Sequence, residues 1–164
     1  MVEQLYVENI KKILKNKKEI ERSFQIKILN NDKIITIEST NSKPENEIKA
    51  ISFFEAIDLG FSIVKALELR FDDIILSKIP IKKIAQRKNL AQVRGRVIGK
   101  NRKAMDTIEY LSGCDIALHN NVAGIIGTIT QVKKAEFALK NLIAGSKHSS
   151  IYSFLEKKSL EESF

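Results

Sequence analysis

Residues Val93 to Gly113 read "VRGRVIGKNRKAMDTIEYLSG", and the fold turns on how this stretch is divided. In "NLAQVRGRVI", Leu90, Val93 and Val97 fall on one face of a helix. From Ala104 onward, Ala104, Met105, Ile108 and Leu111 line one face of a second helix, and Gly113 stands where a C-cap belongs. The break between them contains Gly99. Arg94, Arg96, Lys100, Arg102 and Lys103 crowd around it. Like charges this close repel, so the stretch predicts a helix–break–helix that receives an anion.

The distribution of charge points to a polyanion. The chain of 164 residues has a net charge of +8. Residues 1 to 80 hold 13 Lys+Arg against 13 Asp+Glu, and residues 81 to 164 hold 15 against 7. No acid occurs between Asp73 and Asp106, whereas Lys78, Lys82, Lys83, Arg87 and Lys88 join the five cations already named. Such segregation fits a nucleic acid; the bland alternative is a solvated lysine-rich face. Composition, 43% hydrophobic and 29% charged, is that of a folded soluble protein of one or two small domains. No apolar run approaches the roughly 20 residues that span a bilayer, and "MVEQLYVENIKK" lacks the apolar core of a secretory signal. A lone Cys114 offers neither a disulfide framework nor metal spacing. The expectation is a reduced, cytoplasmic protein without membrane contact, metal or cofactor. No P-loop, paired-His motif or nucleophile–base constellation is present, so no enzyme is expected.

Ahead of the central stretch, residues 3 to 7 (EQLYV) read as a strand. "ENIKKIL" and "KKEIERSF" read as short helices with a break near Lys15-Asn16. "QIKIL" and "KIITIE" alternate as strands joined by Asn30-Asn31-Asp32, which suit a tight turn. Ser42, with Glu45 three residues on and Pro44 in the first turn, predicts a helix start. That helix runs from Pro44 to Leu59 with Ile48, Ile51, Phe54 and Ile57 on one face, while Phe53, Phe54 and Phe61 read as packing residues. Gly60 ends or bends it, and Ser62 caps "IVKALELR". Later, "DIILSKI" is a strand, "DIALH" and "VAGII" alternate around Asn120-Asn121, and Thr128 with Gln131 forms a capping box opening a helix that ends near Gly145. The order strand, helix, break, helix, strand, strand, helix therefore occurs twice, with Ile26, Ile28 and Asn30 matched to Ile116, Leu118 and Asn120.

This order, with Ile98-Gly99-Lys100-Asn101-Arg102 at the break, resembles the KH domain and its I-G-x-x-G loop. "RGRVIGKNRKAMDTIEYLSGCDIAL", the Gly60-Phe61-Ser62 element and "GSKHSSIYSFLE" together resemble the archaeal KH-domain ribosome assembly factors of the partner-of-Nob-one family. The likeness runs from about Ile51 to Lys158 and is poor before it. It implies an α+β fold of two tandem type I KH-like domains, each a three-stranded sheet packed on helices. Residues 1–72 form the first and 73–158 the second, with a tail over 146–164.

In that reading Gly99 lets a phosphodiester backbone approach the start of a helix, whose free N–H groups and dipole favour anions. KH loops clamp about four nucleotides in this way. Arg94, Arg96, Lys100, Asn101, Arg102 and Lys103 surround the clamp, and Arg102, in place of the second loop glycine, adds a phosphate contact. Val97, Ile98, Ile116 and Leu118 supply an apolar floor for bases. Lys147 and His148 stand where the resemblance implies a contact, or else in a solvated linker. His119 reads as an exposed or hydrogen-bonded strand end, Cys114 as a small buried hydrophobe, and "LEKKSLEESF" as a frayed amphipathic helix. Leu14-Lys15-Asn16-Lys17 at the first break has no glycine, so the first unit serves as a packing partner or protein contact.

The function implied is binding of single-stranded rRNA by a monomer, at the 3′ region of small-subunit rRNA during its maturation. Further partners implied are the Nob-one endonuclease and other assembly factors. A scaffold with little RNA contact and an mRNA or translation regulator of the same fold remain alternatives.

Overall fold

In the computed structural model, residues 3 to 86 and 89 to 163 are described; Arg87 and Lys88 of the basic run lie outside them. The chain divides into two compact units, Met1–Ile74 and Ile75–Phe164.

In the first unit β1 (Glu3–Tyr6) precedes α1 (Ile10–Lys15) and α2 (Lys17–Phe24). The hairpin β2 (Ile26–Asn31) and β3 (Ile34–Ser39) follows, then α3 (Pro44–Asp58), α4 (Ile63–Ala66) and a single 3-10 turn, Leu67–Arg70. The sheet order is β1-β3-β2, antiparallel throughout. Strand alternation sends Ile28, Ile35 and Ile37 into the core, where Ile20, Phe24 and Phe53 from the helices meet them. Two expectations about α3 need correction. Ser42 does not cap it: Ser42 lies at φ 57°, Lys43 is the N-cap residue, and its N–H is taken by Ser39 Oγ at 3.2 Å and Asn41 Oδ1 at 3.3 Å. The inward face is also rotated, with Ala50, Phe53, Phe54 and Ile57 buried while Ile48 is 63% exposed.

The second unit repeats the order. β4 (Ile74–Pro80) leads through α5 (Ile81–Ile84) to α6 (Leu90–Ile98) and α7 (Lys103–Ser112), followed by β5 (Asp115–His119), β6 (Val122–Thr128), α8 (Ile129–Ala144) and α9 (His148–Glu162). The sheet order is β4-β6-β5, with β5 at an edge. Asn89 caps α6, Gly113 at φ 79° ends α7, and Thr128 with Gln131 forms the capping box of α8. The segment expected after Gly145 as a tail with a frayed helix at its end forms a full helix from His148, α9, whose Ile151 and Leu155 enter the same core as Val97, Ile108 and Leu139.

The internal repeat is real, but its register differs from the sequence match. Gln25 and Gly113 are the left-handed C-caps of α2 and α7, each donating its N–H to Glu21 and Glu109 respectively. A carboxylate oxygen of Glu21 accepts the N–H of Ile28, and one of Glu109 that of Ile116. Asp32 and Asn120, both at positive φ, open the two hairpin loops. Ile28 therefore corresponds to Ile116, not to Leu118. The sequence match is shifted by one pleat repeat, a displacement that leaves every side chain on its original face and so cannot be detected from alternating hydrophobicity.

Two outcomes follow from the packing. Leu155→Ala, at a side chain with no exposure, should cost about 2–5 kcal/mol of unfolding free energy in a urea titration; a change below about 0.5 kcal/mol would mean that α9 is not part of the core. Burial, the largest influence, pushes the Cys114 thiol from 9.0 up to about 11. The folded protein thus keeps this proton where the unfolded chain releases it, so this linkage leaves stability unchanged below pH 9 and lowers it as pH climbs towards 11. Because the thiolate is favoured only in the unfolded chain, stability measured across that interval should fall more in the native chain than in Cys114→Ala, by on the order of 2 kcal/mol.

Candidate nucleic-acid interface

The loop Gly99–Arg102 joins α6 to α7. Gly99 has φ 74° and ψ 170° and donates its N–H to the Gly95 carbonyl at 2.8 Å. A Cβ on Gly99 would lie 2.7 Å from both the backbone nitrogen and the Cβ of Ala104. Glycine is therefore demanded by the chain's own turn into α7, apart from any ligand. Asn101 at φ 53° and Arg102 at φ 63° continue the left-handed path, which carries a steric cost for a residue with a Cβ. The corresponding joint of the first unit is the single residue Asn16 between α1 and α2. That joint is too short to hold such a loop.

A groove of about 420 Å³ lies beside the loop, lined by Arg94 and Ile98 from α6, Leu118 from β5, and Asn120 and Asn121 from the hairpin turn. Its far wall is held in place. Asn121 accepts the Arg94 Nη1 hydrogen bond at 2.5 Å through its side chain and the Ile81 N–H at 2.8 Å through its carbonyl. The sequence marks Asn120 and Asn121 only as turn formers; their place on the groove follows from the tertiary packing of the hairpin against α6.

The sequence-selected residues divide into three groups. Ile98, Leu118 and Arg94 line the groove, and Lys100, Asn101 and Lys103 are exposed on and beside the loop. Among the described residues, Lys100 and Lys103 have no carboxylate partner. Arg96, His148 and Lys147 form a second group behind α6. Arg96 Nη2 donates to the Ser146 carbonyl at 2.5 Å, His148 Nε2 lies 2.9 Å from the Arg96 carbonyl, and Lys147 is the exposed N-cap residue of α9.

The third group corrects the expected site. Val97, with no exposure, and Ile116, at 2%, are core residues and cannot form a floor for bases; only Ile98 and Leu118 of that set reach the groove. Arg102 is already engaged within the protein. Its Nη1 donates to Asp106 Oδ1 and, at 2.6 Å, to Glu109 Oε1, while Nη2 donates to the Ile116 carbonyl at 3.1 Å. Glu109, followed by Asp106, outweighs the opposing effect of burial and raises the guanidinium above its ordinary value.

On another side of α7, a shallow hollow is lined by Lys103, Asp106, Glu156 and Tyr110, the last 87% exposed. Its two carboxylates make it a poorer seat for a polyanion than the first groove. Among the described residues, no three His, Cys, Asp or Glu side chains are grouped to hold a metal, and no helix is long and apolar enough to cross a membrane. The arrangement of loop, cations and groove can hold a phosphodiester strand along the loop and admit bases against Ile98 and Leu118.

Comparison with known proteins gives the same picture. The family model of the eukaryotic-type KH domain (KH domain type I) matches residues 75–160. A KH domain-containing protein of Methanocaldococcus jannaschii is 34% identical over 146 residues, covering 87% of this chain and 64% of that protein. The pre-rRNA-processing protein pno1 of Schizosaccharomyces pombe is 34% identical over 110 residues, covering 65% of this chain and 46% of that protein. The chain thus spans about half to two thirds of these relatives. A chain of the a/eIF2alpha-aDim2p-rRNA complex from Pyrococcus horikoshii superposes with a TM-score of 0.88 at 29% identity, over 98% of this chain and 95% of that one. The likeness therefore extends through the first unit, beyond the Ile51 boundary expected from the sequence.

Two glycines of the basic stretch should respond oppositely to alanine. Gly95 lies within α6, where an added methyl group would meet nothing inside 4 Å, so Gly95→Ala should raise stability by about 0.4–1 kcal/mol. Gly99→Ala, which meets Ala104 at positive φ, should lower it by about 2 kcal/mol or more. Chemical denaturation of both variants checks the pair.

Proposed function

We propose a function from one premise: the chain belongs to the partner-of-Nob-one family of type I KH-domain proteins. It is an RNA-binding factor of small-subunit ribosome biogenesis that holds single-stranded rRNA in the groove beside Gly99–Arg102. The observation that carries this reading is the pairing of that groove with exposed Lys100 and Lys103, to which no carboxylate among the described residues is bound. The association of a family member with rRNA, in a chain that superposes over nearly the whole length, supports the same ligand class. The phosphates lie along the loop and the start of α7, and bases enter between Ile98 and Leu118.

The finer assignment is the 3′ region of the small-subunit rRNA, held by a monomer during its maturation and presented to the Nob-one endonuclease. The protein contributes binding and orientation, and bond cleavage belongs to its partner. The first unit has a one-residue helix joint in place of a clamp loop, which suits it to protein contacts.

The test is affinity for short single-stranded RNA from that region, measured as salt is raised. Lys100→Ala with Lys103→Ala should weaken binding at low salt and reduce the log–log salt slope by about 0.7 for each phosphate contact removed. Recovery of the protein with small-subunit precursor particles would distinguish ribosome maturation from mRNA regulation. Unchanged RNA affinity in the double variant, with intact assembly into those particles, would overturn the clamp in favour of a scaffold.

A further inference from the structure

Arg102 departs from the glycine expected at the end of an I-G-x-x-G loop, and its surroundings give the departure a purpose. The residue is held at φ 63°, a conformation in which glycine would be unstrained. Its guanidinium spans two elements: Nη1 reaches Asp106 and Glu109 on α7, and Nη2 reaches the Ile116 carbonyl on β5. Glu109 closes the ring, because its Oε2 accepts the Ile116 N–H at 3.0 Å. Both backbone polar groups of Ile116, on the edge strand of its sheet, are thereby satisfied by one side-chain pair.

The first unit supplies an internal control. Glu21 accepts the N–H of Ile28 at 2.9 Å, so the carboxylate-to-strand contact exists in both units. The arginine is confined to the unit that has a loop to position. Since α6, which runs directly into the loop, forms one wall of the groove and β5 contributes Leu118 to another, a bridge from Arg102 to Ile116 sets the spacing between those walls.

We infer that Arg102 is a positioning residue: it ties the end of the clamp loop to β5 through Glu109 and the Ile116 carbonyl, and so holds the groove at one width before RNA arrives. This rests on the RNA-clamp reading for its functional half. It makes Arg102 act on binding through pre-organisation, without a contact to phosphate. The rest of the loop can then be left to Lys100 and Lys103 for charge.

Arg102→Gly is the informative variant, because glycine accepts the local backbone while the bridge is lost together with its charge. Its affinity for a short single-stranded RNA from the 3′ region of small-subunit rRNA should fall about tenfold at every salt concentration, with the salt slope unchanged. Arg102→Lys, able to reach a carboxylate but not to fork across to β5, should recover only part of the loss. A slope lower by about 0.7 would identify Arg102 as a phosphate ligand and overturn the inference, as would undiminished affinity. Amide hydrogen exchange without RNA separates this inference from the functional reading. The Ile116 amide and those of residues 100–103 should exchange about tenfold faster in Arg102→Gly, and unaltered rates would overturn the bridge whether or not the native chain binds RNA.

Discussion

The constraint that shapes the second unit's loop is the approach of Gly99 to the backbone of Ala104. The backbone leaves α6, crosses four residues and re-enters a helix with no space for a single methyl group at the first of them. That approach exposes Lys100 and Lys103, and it turns α7 so that Ala104, Met105 and Ile108 remain in the core. A loop on the surface is thus held by the same atoms that close the interior, and its shape needs no ligand to impose it.

Around this turn, charge is partitioned by packing. Three arginines lie within the crowded stretch, and each has a different occupation. Arg94 reaches across to a hairpin amide, Arg96 secures the approach to α9, and Arg102 is neutralised by two carboxylates. The lysines remain in solvent. This division suits the chemistry of the two side chains, since a planar fork can bridge several acceptors while an ammonium group on a flexible stem serves as a mobile point charge. The repulsion evident in the sequence is therefore relieved partly within the protein and left partly for a partner.

The sequence made the α+β class, the repeated element order and the caps at Gly113 and Thr128 legible, because each depends on local periodicity or on one side chain meeting its own backbone. What it concealed was non-local. Val97 was legible as part of an apolar helix face, whereas Ile116 looks like any strand residue beside a loop until the core cluster removes it from the surface. Arg102 could not reveal its destination, since Glu109 lies two helical turns away and Ile116 on another element. Residues 148–162 conceal their docking for a related reason: "LEKKSLEESF" reads as a frayed helix because it is mostly polar, and the two anchors that seat it, Ile151 and Leu155, precede or only begin that phrase. The hairpin register was hidden by the two-residue symmetry of the strand itself.

The single-residue joint between α1 and α2 has a consequence for how such a protein can change over time. No point substitution at Asn16 would yield a surface like the one following Ile98, because the missing element is length, not a side chain. Interconversion between the two kinds of module demands insertion or deletion inside a packed helical corner, where intermediate lengths would misdirect the second helix and its buried face. The difference between the two helix joints is accordingly guarded against drift by chain geometry, even where individual residues are free to vary.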